Sequence, residues 1–503
     1  MVFQWRHVAA MMVLHLATLA QSLSARADAP LTVQTTVGEV TGFINETAPL
    51  VRQFLGVPYA EPPVGSLRFL PPISPTKEPS PINATTYSPA CKQQRSSSTS
   101  LYTEVLTQFL INGPDSEDCL YVNVYAPLSP VSESLPVFIY IPGGGFTSGG
   151  SNSLYKIPDQ WIQRTQSHVV VIMQYRLNAF GFPNGEAAHE NVGLLDQRLA
   201  VEWTRDNVAA FGGDPERMVL WGQSAGGMSS SVYGYGYPDD PIVTGTISDS
   251  GAASPSNLGR QPGNYTTFST LASLVGCGGL TGNSSAELAC VQGVDANTLQ
   301  DFVSNTSSLS FGPVLDNVTS FSNTTDRIAQ GLLAKIPAIL GHNANEGASS
   351  GVFNETSGPS QATKDGFQAA IGCPVVLEAS NVYVLSNRAK FGYQTYRYFY
   401  EGNFTNISPL PWVGAAHSSE LPLLFGTHYE YRGNSTEFEW ETSYGLEALW
   451  LSFASNSSAD PTDGASITWP KYSEDTDSLA VFAANDTWVQ FSDGNFGAGV
   501  QCS

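Results

Sequence analysis

The feature that most constrains the fold is a set of uninterrupted apolar segments. Residues 135–141 read LPVFIYI and end at a proline and three glycines, and residues 169–175 read VVVIMQY. A strand that is apolar at every position has to be covered on both faces, as the strands of parallel sheets are. Short apolar segments at 218–221 and 336–340, with helical apolar spacing over 194–207, continue the alternation of strand and helix. We predict an α/β fold with a mostly parallel central sheet covered by helices on both faces.

The chain shows no internal repeat and no low-complexity linker that would divide its 503 residues. Residues 31–40 and 51–57 alternate apolar and polar positions, which predicts half-buried strands before the parallel sheet. Polar stretches at 254–330 and 350–365 are predicted to be surface insertions. We therefore expect one domain over residues 28–503.

Residues 1–27 have the pattern of a secretory signal peptide. Arg6 precedes an apolar segment over 8–20, and an A-x-A cleavage pattern ends at Ala27. The segment is shorter than the roughly 20 residues that span a bilayer, so we expect a secreted protein without a stable membrane anchor. Thirteen N-x-S/T sequons indicate an extracellular glycoprotein. They lie at Asn45, Asn83, Asn264, Asn283, Asn305, Asn317, Asn323, Asn354, Asn403, Asn406, Asn434, Asn456 and Asn485.

Charge and cysteine content narrow the function classes. Without residues 1–27 the chain carries 20 basic and 44 acidic side chains, a net charge of −24. That balance argues against nucleic acid and against an anionic membrane surface as partners. No cluster of possible ligands has metal-site spacing, so no metal or cofactor is expected. Secretion favours disulfides, and the six cysteines can pair completely.

A G-x-S-x-G motif at residues 222–226 supplies a candidate nucleophile, Ser224. The apolar strand at 218–221 leads directly into the motif and a helix can follow it, which is the context of a nucleophile elbow. A second match at 347–351, centred on Ser349, has no abutting strand, and we interpret Ser349 as a loop serine. A serine hydroxyl needs a base to remove its proton.

In this fold class the triad residues follow in the order serine, acid, histidine. Only His417 and His428 lie well downstream of Ser224, and the small residues around His417 favour it, whereas His428 is predicted to be exposed. Glu346, after the strand at 336–340, and Asp316 are both candidates for the acid. The glycines at 143–145 follow a strand, and their N–H groups could stabilise an oxyanion together with that of Ala225.

At this point the chain resembles the type-B carboxylesterases, the group that includes cholinesterases and some fungal lipases. The resemblance runs from about residue 37 to residue 502. It rests on EDCLYVN at 117–123, NVGLLDQ at 191–197, FGGDP at 211–215 and GQSAGG at 222–227. It implies an α/β-hydrolase fold and a serine esterase mechanism.

The resemblance also assigns roles. It makes Ser224 the nucleophile, His417 the base and Glu346 the acid in preference to Asp316, and it places the oxyanion hole at Gly144, Gly145 and Ala225. It further implies three disulfides, Cys91–Cys119, Cys277–Cys290 and Cys373–Cys502. Two positions depart from the family pattern. Gln223 stands where a glutamate is usual, and Asn345 replaces a common aspartate.

The sequence therefore predicts a secreted serine ester hydrolase that acts through an acyl-enzyme on small neutral esters. Gln223 removes a carboxylate beside the nucleophile, and the 91–119 loop holds Phe109 but no tryptophan, so cationic esters are expected to be poor substrates. The alternatives are a non-catalytic cholinesterase-like binding protein, which would usually lack a triad residue, and a secreted lipase. The loop is short and begins with polar residues, which favours soluble esters over lipids. The sequence does not predict an oligomeric state.

Overall fold

The apolar segments form the centre of a long mixed sheet. The structure, a computed structural model, describes residues 28–95, 98–253, 260–280, 282–379, 388–473 and 478–493. The predicted signal peptide and Cys502 lie outside these residues. The strands are β1 (Thr32–Thr35), β2 (Gly38–Thr41), β3 (Phe43–Asn45), β4 (Ala48–Pro58), β5 (Ile82–Asn83), β6 (Ala90–Cys91), β7 (Asp115–Ser116), β8 (Tyr121–Pro127), β9 (Leu135–Ile141), β10 (Val169–Met173), β11 (Gly213–Gln223), β12 (Gly245–Asp249), β13 (Ala338–Asn343), β14 (Thr395–Tyr400), β15 (Ser478–Ala484) and β16 (Thr487–Asp493).

The helices surround this sheet and are interspersed with short 3-10 turns. They are α1 (Leu101–Glu104), α2 (Asp159–Thr165), α3 (Asn178–Gly181), α4 (Val192–Asn207), α5 (Ala225–Gly236), α6 (Thr266–Leu274), α7 (Ser284–Gln292), α8 (Ala296–Asn305), α9 (Thr324–Ala329), α10 (Gln361–Ala379), α11 (Leu421–Leu424) and α12 (Glu437–Ser455). Among the described residues, no helix is long and apolar enough to cross a bilayer.

Within the described chain the main sheet has eleven strands, in the order β16-β15-β14-β13-β12-β11-β9-β10-β8-β4-β3. The strands from β15 to β10 pair in parallel, and antiparallel pairs flank them on both sides. The predicted α/β class with a mostly parallel centre is confirmed. The predicted strand at 218–221 is only the last part of β11, and the one at 336–340 begins two residues later than predicted.

Strand β9 shows why an all-apolar sequence suits this position. Every residue from Leu135 to Ile141 is buried. Val137 and Ile139 belong to the apolar cluster on one face of the sheet, where α4 and α5 also pack. Phe138 and Tyr140 belong to the cluster on the opposite face, with α2 and α12. Because side chains alternate between the two faces of a strand, both sets must be apolar when helices cover both faces.

Helix α12 illustrates how the sequence forms the covering layers. The Thr436 side chain accepts a hydrogen bond from the Glu439 N–H at 3.1 Å, which satisfies a donor at the helix start. Leu446, Leu449 and Phe453 recur at helical spacing, and all are buried against the sheet. The polar stretch at 254–330, predicted to be a surface insertion, contains α6–α9 in its described part. Apolar side chains of α6, α7 and α8 form a cluster with Phe69, Ala179 and Phe180.

Two of the three predicted disulfides are present, Cys91–Cys119 and Cys277–Cys290. The first closes the loop that contains α1, and the second joins the turn after α6 to α7. The third, Cys373–Cys502, involves a residue outside the described part of the chain and stays a prediction.

A buried ion pair joins the segment after β10 to α4. Arg176 donates to Asp196 through Nε at 2.8 Å and Nη2 at 2.6 Å, and its backbone N–H donates to the same carboxylate at 3.0 Å. Both side chains are at most 3% exposed. Removing one member of such a pair leaves the other charge buried without compensation.

We therefore expect Asp196→Ala to lower the free energy of unfolding by about 3–5 kcal/mol. Asp206→Ala is the matched control, because the Arg205–Asp206 pair is more than 40% exposed on both sides and such pairs contribute at most about 1 kcal/mol. Urea denaturation of both variants measures the difference. Equal losses in the two variants would contradict this account.

Candidate active site

Ser224 lies at a sharp turn between β11, which ends at Gln223, and α5, which begins at Ala225. Its backbone is left-handed, with φ 59° and ψ −123°, a conformation that costs a non-glycine residue about 1–3 kcal/mol. The glycines of the motif make the turn possible. A Cβ on Gly222 would lie 2.2 Å from the Gly226 carbonyl oxygen, and one on Gly226 would lie 2.0 Å from that of Ile141. The G-x-S-x-G pattern thus reflects backbone contacts that exclude any side chain.

The second G-x-S-x-G match has a different geometry. Ser349 ends the 3-10 helix Glu346–Ser349, and its hydroxyl donates to the Glu346 carbonyl oxygen at 3.1 Å. No strand-to-helix elbow occurs at this position. Ser349 nevertheless lines the same cavity as Ser224, which the sequence pattern did not indicate.

Glu346 and His417 form a buried pair, with 2.5 Å between Glu346 Oε2 and His417 Nδ1. The other carboxylate oxygen, Oε1, accepts from the Asn343 N–H and from the Ser250 hydroxyl, each at 2.7 Å. Burial by itself would raise the pKa of Glu346. The charge of His417 and these hydrogen bonds outweigh burial and hold the pKa below its ordinary value. Glu346 is therefore ionised at neutral pH and can orient the imidazole.

Two further buried carboxyl groups lie close to this pair, and their environments differ from that of Glu346. Asp249 accepts from Trp221 Nε1 at 2.5 Å and from the Tyr398 hydroxyl at 2.9 Å, but burial raises its pKa to about 7. Glu420 accepts from the Asn343 side chain, and burial, with the neighbouring Asp249 and Glu346, raises its pKa well above the ordinary value. Among these three acids, Glu346 is the one whose surroundings favour the charged form.

The loop that carries His417 is held from several directions. The Asn343 amide donates to the Ala416 carbonyl oxygen at 2.8 Å, which ties the loop to the end of β13. The Tyr102 hydroxyl donates to the His417 carbonyl oxygen at 2.8 Å, so the disulfide-closed 91–119 loop also contacts it. The ring of Phe367, in α10, meets the imidazole edge to face at 5.4 Å. None of these partners was identified from the sequence, because each comes from a different, distant segment.

The second imidazole nitrogen, His417 Nε2, lies 3.1 Å from Nε2 of Gln223. Since Nδ1 faces the Glu346 carboxylate, Nε2 is the acceptor in the neutral ring, and the Gln223 amide can donate to it. Within the described residues no hydrogen bond joins His417 to Ser224. Both groups line one cavity, so a proton transfer from Ser224 requires its hydroxyl to replace Gln223 at Nε2.

The three predicted oxyanion-hole residues surround Ser224. The loop 143–145 follows β9, next to β11 in the sheet, and in the described chain the N–H groups of Gly144 and Gly145 have no hydrogen-bond acceptor. Ala225 is the first residue of α5, where a helical N–H has no partner within the helix. All three residues line the cavity, and their N–H groups are available to an anionic oxygen.

The cavity has a volume of about 650 Å³, enough for a small ester. Ser224, His417 and the glycine loop 143–145 line it. Its walls are mostly apolar, with a single lysine, and include Phe109, Leu110, Ile111, Phe146, Lys156, Met228, Phe367 and Ile371.

The rival candidates from the sequence have structural roles. Asp316 accepts hydrogen bonds from the N–H groups of Val318, Thr319 and Ser320 and so stabilises a turn. The prediction that His428 is exposed is wrong. His428 is fully buried, because its Nδ1 contacts the Ser435 hydroxyl at 2.6 Å and its ring packs against Trp440.

The asparagines of the sequons differ in their exposure to solvent. Eleven of the thirteen asparagines are exposed and Asn45 is half-buried, whereas Asn406 is buried. The Asn406 amide nitrogen, to which a glycan would be attached, donates to the His428 carbonyl oxygen, the Ser435 hydroxyl and Glu439 Oε1. Glycosylation of the folded protein at Asn406 is therefore not compatible with this structure, and the prediction of a glycan at Asn406 is corrected.

A serine on a strand-to-helix elbow at the carboxyl edge of a largely parallel sheet is the defining arrangement of the α/β-hydrolases, and this chain has that fold. Comparison with known proteins narrows the class. The sequence profile described as the carboxylesterase family matches residues 29–370 and 352–493. The chain belongs to the carboxylesterase family.

Three relatives illustrate its range. The chain is 51% identical to the chlorogenic acid esterase of Aspergillus niger over 92% of each chain. It is 40% identical to secreted lipase 5 of Gibberella zeae over 88% of each chain. It is 29% identical to the cholinesterase of Mus musculus over 84% of this chain and 78% of that one. The protein is accordingly a carboxylic ester hydrolase.

The two G-x-S-x-G serines can be separated by substitution. We expect Ser224→Ala to lower kcat for a 4-nitrophenyl ester by at least about 10⁴-fold while the variant keeps its unfolding temperature. Ser349→Ala is the matched control, since it removes a hydroxyl from the same cavity, and it should retain turnover. If Ser349→Ala abolished hydrolysis and Ser224→Ala did not, the assignment of the nucleophile would be reversed.

Proposed function

We propose that this chain is a secreted serine esterase that hydrolyses small carboxylic esters through an acyl-enzyme. The observation that carries the proposal is that Ser224, His417 and the glycine loop line one cavity, with Glu346 paired to His417 behind it. The predicted signal peptide, the exposed sequons and the relative named a secreted lipase support secretion.

The reaction follows from the positions of these groups. The Ser224 hydroxyl oxygen attacks the ester carbonyl carbon as its proton passes to His417 Nε2, from which the Gln223 amide is displaced. Glu346 stabilises the resulting imidazolium. The N–H groups of Gly144, Gly145 and Ala225 bind the tetrahedral oxyanion.

Collapse of the tetrahedral species breaks the ester bond and leaves the acyl group on Ser224. The departing alkoxide takes the proton from His417 and leaves as the alcohol. A water molecule then attacks the acyl-enzyme while His417 accepts its proton. Return of that proton to the serine oxygen releases the carboxylic acid and regenerates Ser224.

A mechanism through an acyl-enzyme predicts a constant product ratio that direct attack of water on the ester does not predict. Methanol and water compete for a common intermediate, so the ratio of methyl ester to free acid should be the same for butyrate esters with different alcohols. Product ratios for phenyl, ethyl and 4-nitrophenyl butyrate, measured in the same methanol–water mixture, test this. A ratio that varies with the leaving group would rule out a shared acyl-enzyme.

The charge of the preferred substrate depends on the local surroundings of Ser224. The net charge of the chain attracts cations at long range, but physiological salt screens that attraction beyond about 8 Å. A bound cation then needs a nearby carboxylate or an aromatic face. Gln223 offers no charge, and Trp161, an aromatic alternative, is fully buried against Phe138 and His168. Tyr102, Phe109, Phe146 and Phe367 line the cavity, but each is a weaker cation–π partner than tryptophan, and no tryptophan is among its described lining residues.

We therefore expect kcat/KM for butyrylcholine to be below that for its uncharged isostere, 3,3-dimethylbutyl butyrate. A desolvated cation–π contact is worth about 2 kcal/mol, so its loss corresponds to roughly thirtyfold. Gln223→Glu places a carboxylate beside Ser224 without changing the length of the side chain, and it should raise the ratio of the cationic to the neutral ester. A wild-type preference for butyrylcholine would show that another group binds the cation.

A lipase is the second candidate, because one relative at 40% identity carries that name. Esters of increasing acyl length, assayed below and above their solubility limit, separate the two. An esterase is fastest on short soluble esters, whereas a lipase gains activity at the interface. Chlorogenic acid belongs in the same panel, since the relative at 51% identity is named for it.

A further inference from the structure

The cavity that contains Ser224 also contains a buried lysine, Lys156. This residue ends the 3-10 helix Leu154–Lys156, beyond the glycine loop in the chain, and is only 7% exposed. Its neighbour Tyr155 packs against Phe109 and Tyr431, with ring centroids 4.9 and 5.4 Å apart, which holds this short helix in place. Lys156 lines the same cavity as Ser224 and His417.

A second buried lysine shows what such a side chain normally requires. Lys92 is 6% exposed, and its ammonium contacts Asp115 and Asn297, each at 2.7 Å. Lys156 differs, because in the described chain its ammonium has neither an ion pair nor a hydrogen-bond acceptor. Buried charges in proteins are ordinarily paired. The chain has 44 acidic residues, yet none of the described ones lies within ion-pair distance of Lys156.

We propose that Lys156 is a specificity residue whose ammonium binds a carboxylate carried by the ester substrate. A carboxylate in the cavity would supply the missing counter-ion, and the ester carbonyl of the same molecule would lie at Ser224. The carboxylate can belong to the acyl part or to the alcohol part of the ester. This inference rests on the proposed serine esterase function and adds to it a preference for anionic over isosteric neutral esters.

The net negative charge of the chain does not prevent a substrate carboxylate from binding beside Lys156. The long-range field of the net negative charge repels anions, but salt screens it beyond about 8 Å. A hydrogen bond to a charged partner inside a protein is worth enough to change affinity by about tenfold to a hundredfold. Because a substrate carboxylate would contact the Lys156 ammonium directly, that contact outweighs the screened field of the distant acids.

The experiment compares carboxylate esters with their carboxamide isosteres, which have the same size and no charge. The acyl arm uses monoethyl adipate against ethyl adipamate. The alcohol arm uses the butyryl ester of β-hydroxypropanoate against that of β-hydroxypropanamide. The measured quantity is the ratio of kcat/KM for the carboxylate to kcat/KM for the amide, by titration of released acid. We expect about tenfold or more in at least one arm of the wild-type protein.

Two substitutions assign that ratio to the ammonium. Lys156→Met keeps the length of the side chain without its charge and should lower the ratio to about one, whereas Lys156→Arg keeps the charge and should restore part of the preference. Lys335→Met is the control, because Lys335 is exposed and lies outside the cavity. It should leave the ratio at the wild-type value. Thermal unfolding confirms that each variant is folded.

The pH dependence of the ratio is a further readout. Burial lowers the pKa of Lys156 to about 8, so the ammonium is present at pH 6–7 and is lost as the pH rises through that value. The titratable groups that share the cavity are His417 and Tyr102, and Glu346 lies behind His417. These groups are also present in Lys156→Met, so the difference between the pH profiles of the two proteins belongs to the ammonium. We expect the carboxylate preference to fall above about pH 8 in the wild type and to be flat in Lys156→Met.

The outcomes separate this inference from the proposed function. Hydrolysis of the amide esters without preference in either arm, or a preference that survives in Lys156→Met, would overturn the role of Lys156 and leave the esterase intact. If the wild type hydrolysed no member of either pair and no 4-nitrophenyl ester, the proposed function itself would fail.

Discussion

The turn at Ser224 is the constraint on which the rest of the site depends. It brings the end of β11, the start of α5 and the end of β9 so close that a methyl group at Gly222 or Gly226 would lie 2.0–2.2 Å from a carbonyl oxygen, well inside van der Waals contact. This approach holds the serine in a left-handed conformation and directs the N–H of Ala225 and the glycine loop toward the same space. The strain is sustained because parallel strands on both sides of β11 fix the backbone that leads into the turn.

The charge of each buried ionisable group depends on the partners that surround it. Three carboxyl groups lie buried within one region, and burial alone would neutralise all of them. Glu346 stays ionised because an imidazole, a backbone N–H and a hydroxyl all contact its carboxylate. A single side-chain amide donates to Glu420. Burial also disfavours the charged form of Lys156, and the described chain supplies no counter-ion for its ammonium. The buried carboxyl group that stays charged is therefore the one that several donors contact.

Much of the fold was predictable from the sequence. A strand that is buried on both faces of the sheet is apolar at every position, as residues 135–141 and 169–173 are. The ends of β11 and β13 were misplaced, since hydrogen bonding to neighbouring strands extends a strand into residues that are not apolar. The exposure of His428 was predicted wrongly because its burial also depends on contacts with another segment of the chain. Its polar neighbours suggested exposure, and Glu430 is indeed exposed, but Trp440 of α12 packs against the His428 ring itself. A contact with a later helix cannot be anticipated from local composition. Asn406 satisfies the sequon pattern and yet is buried by the same packing.

The sequence by itself determined the sheet class and the elbow serine, because each depends on a local pattern of residue types. Order along the chain only selected candidates for the acid and the histidine. From residues alone it left Glu346 and Asp316 open, and only the resemblance to a family separated them. The tertiary structure decided what those side chains meet. It placed Gln223 rather than Ser224 at His417 Nε2, brought Ser349 into the cavity, and left Lys156 facing that cavity without an acid beside it. Contacts of this kind join distant segments, 194 residues apart for Gln223 and His417 and 315 for Tyr102 and His417. Their distances and burial exist only once the sheet has brought those segments together.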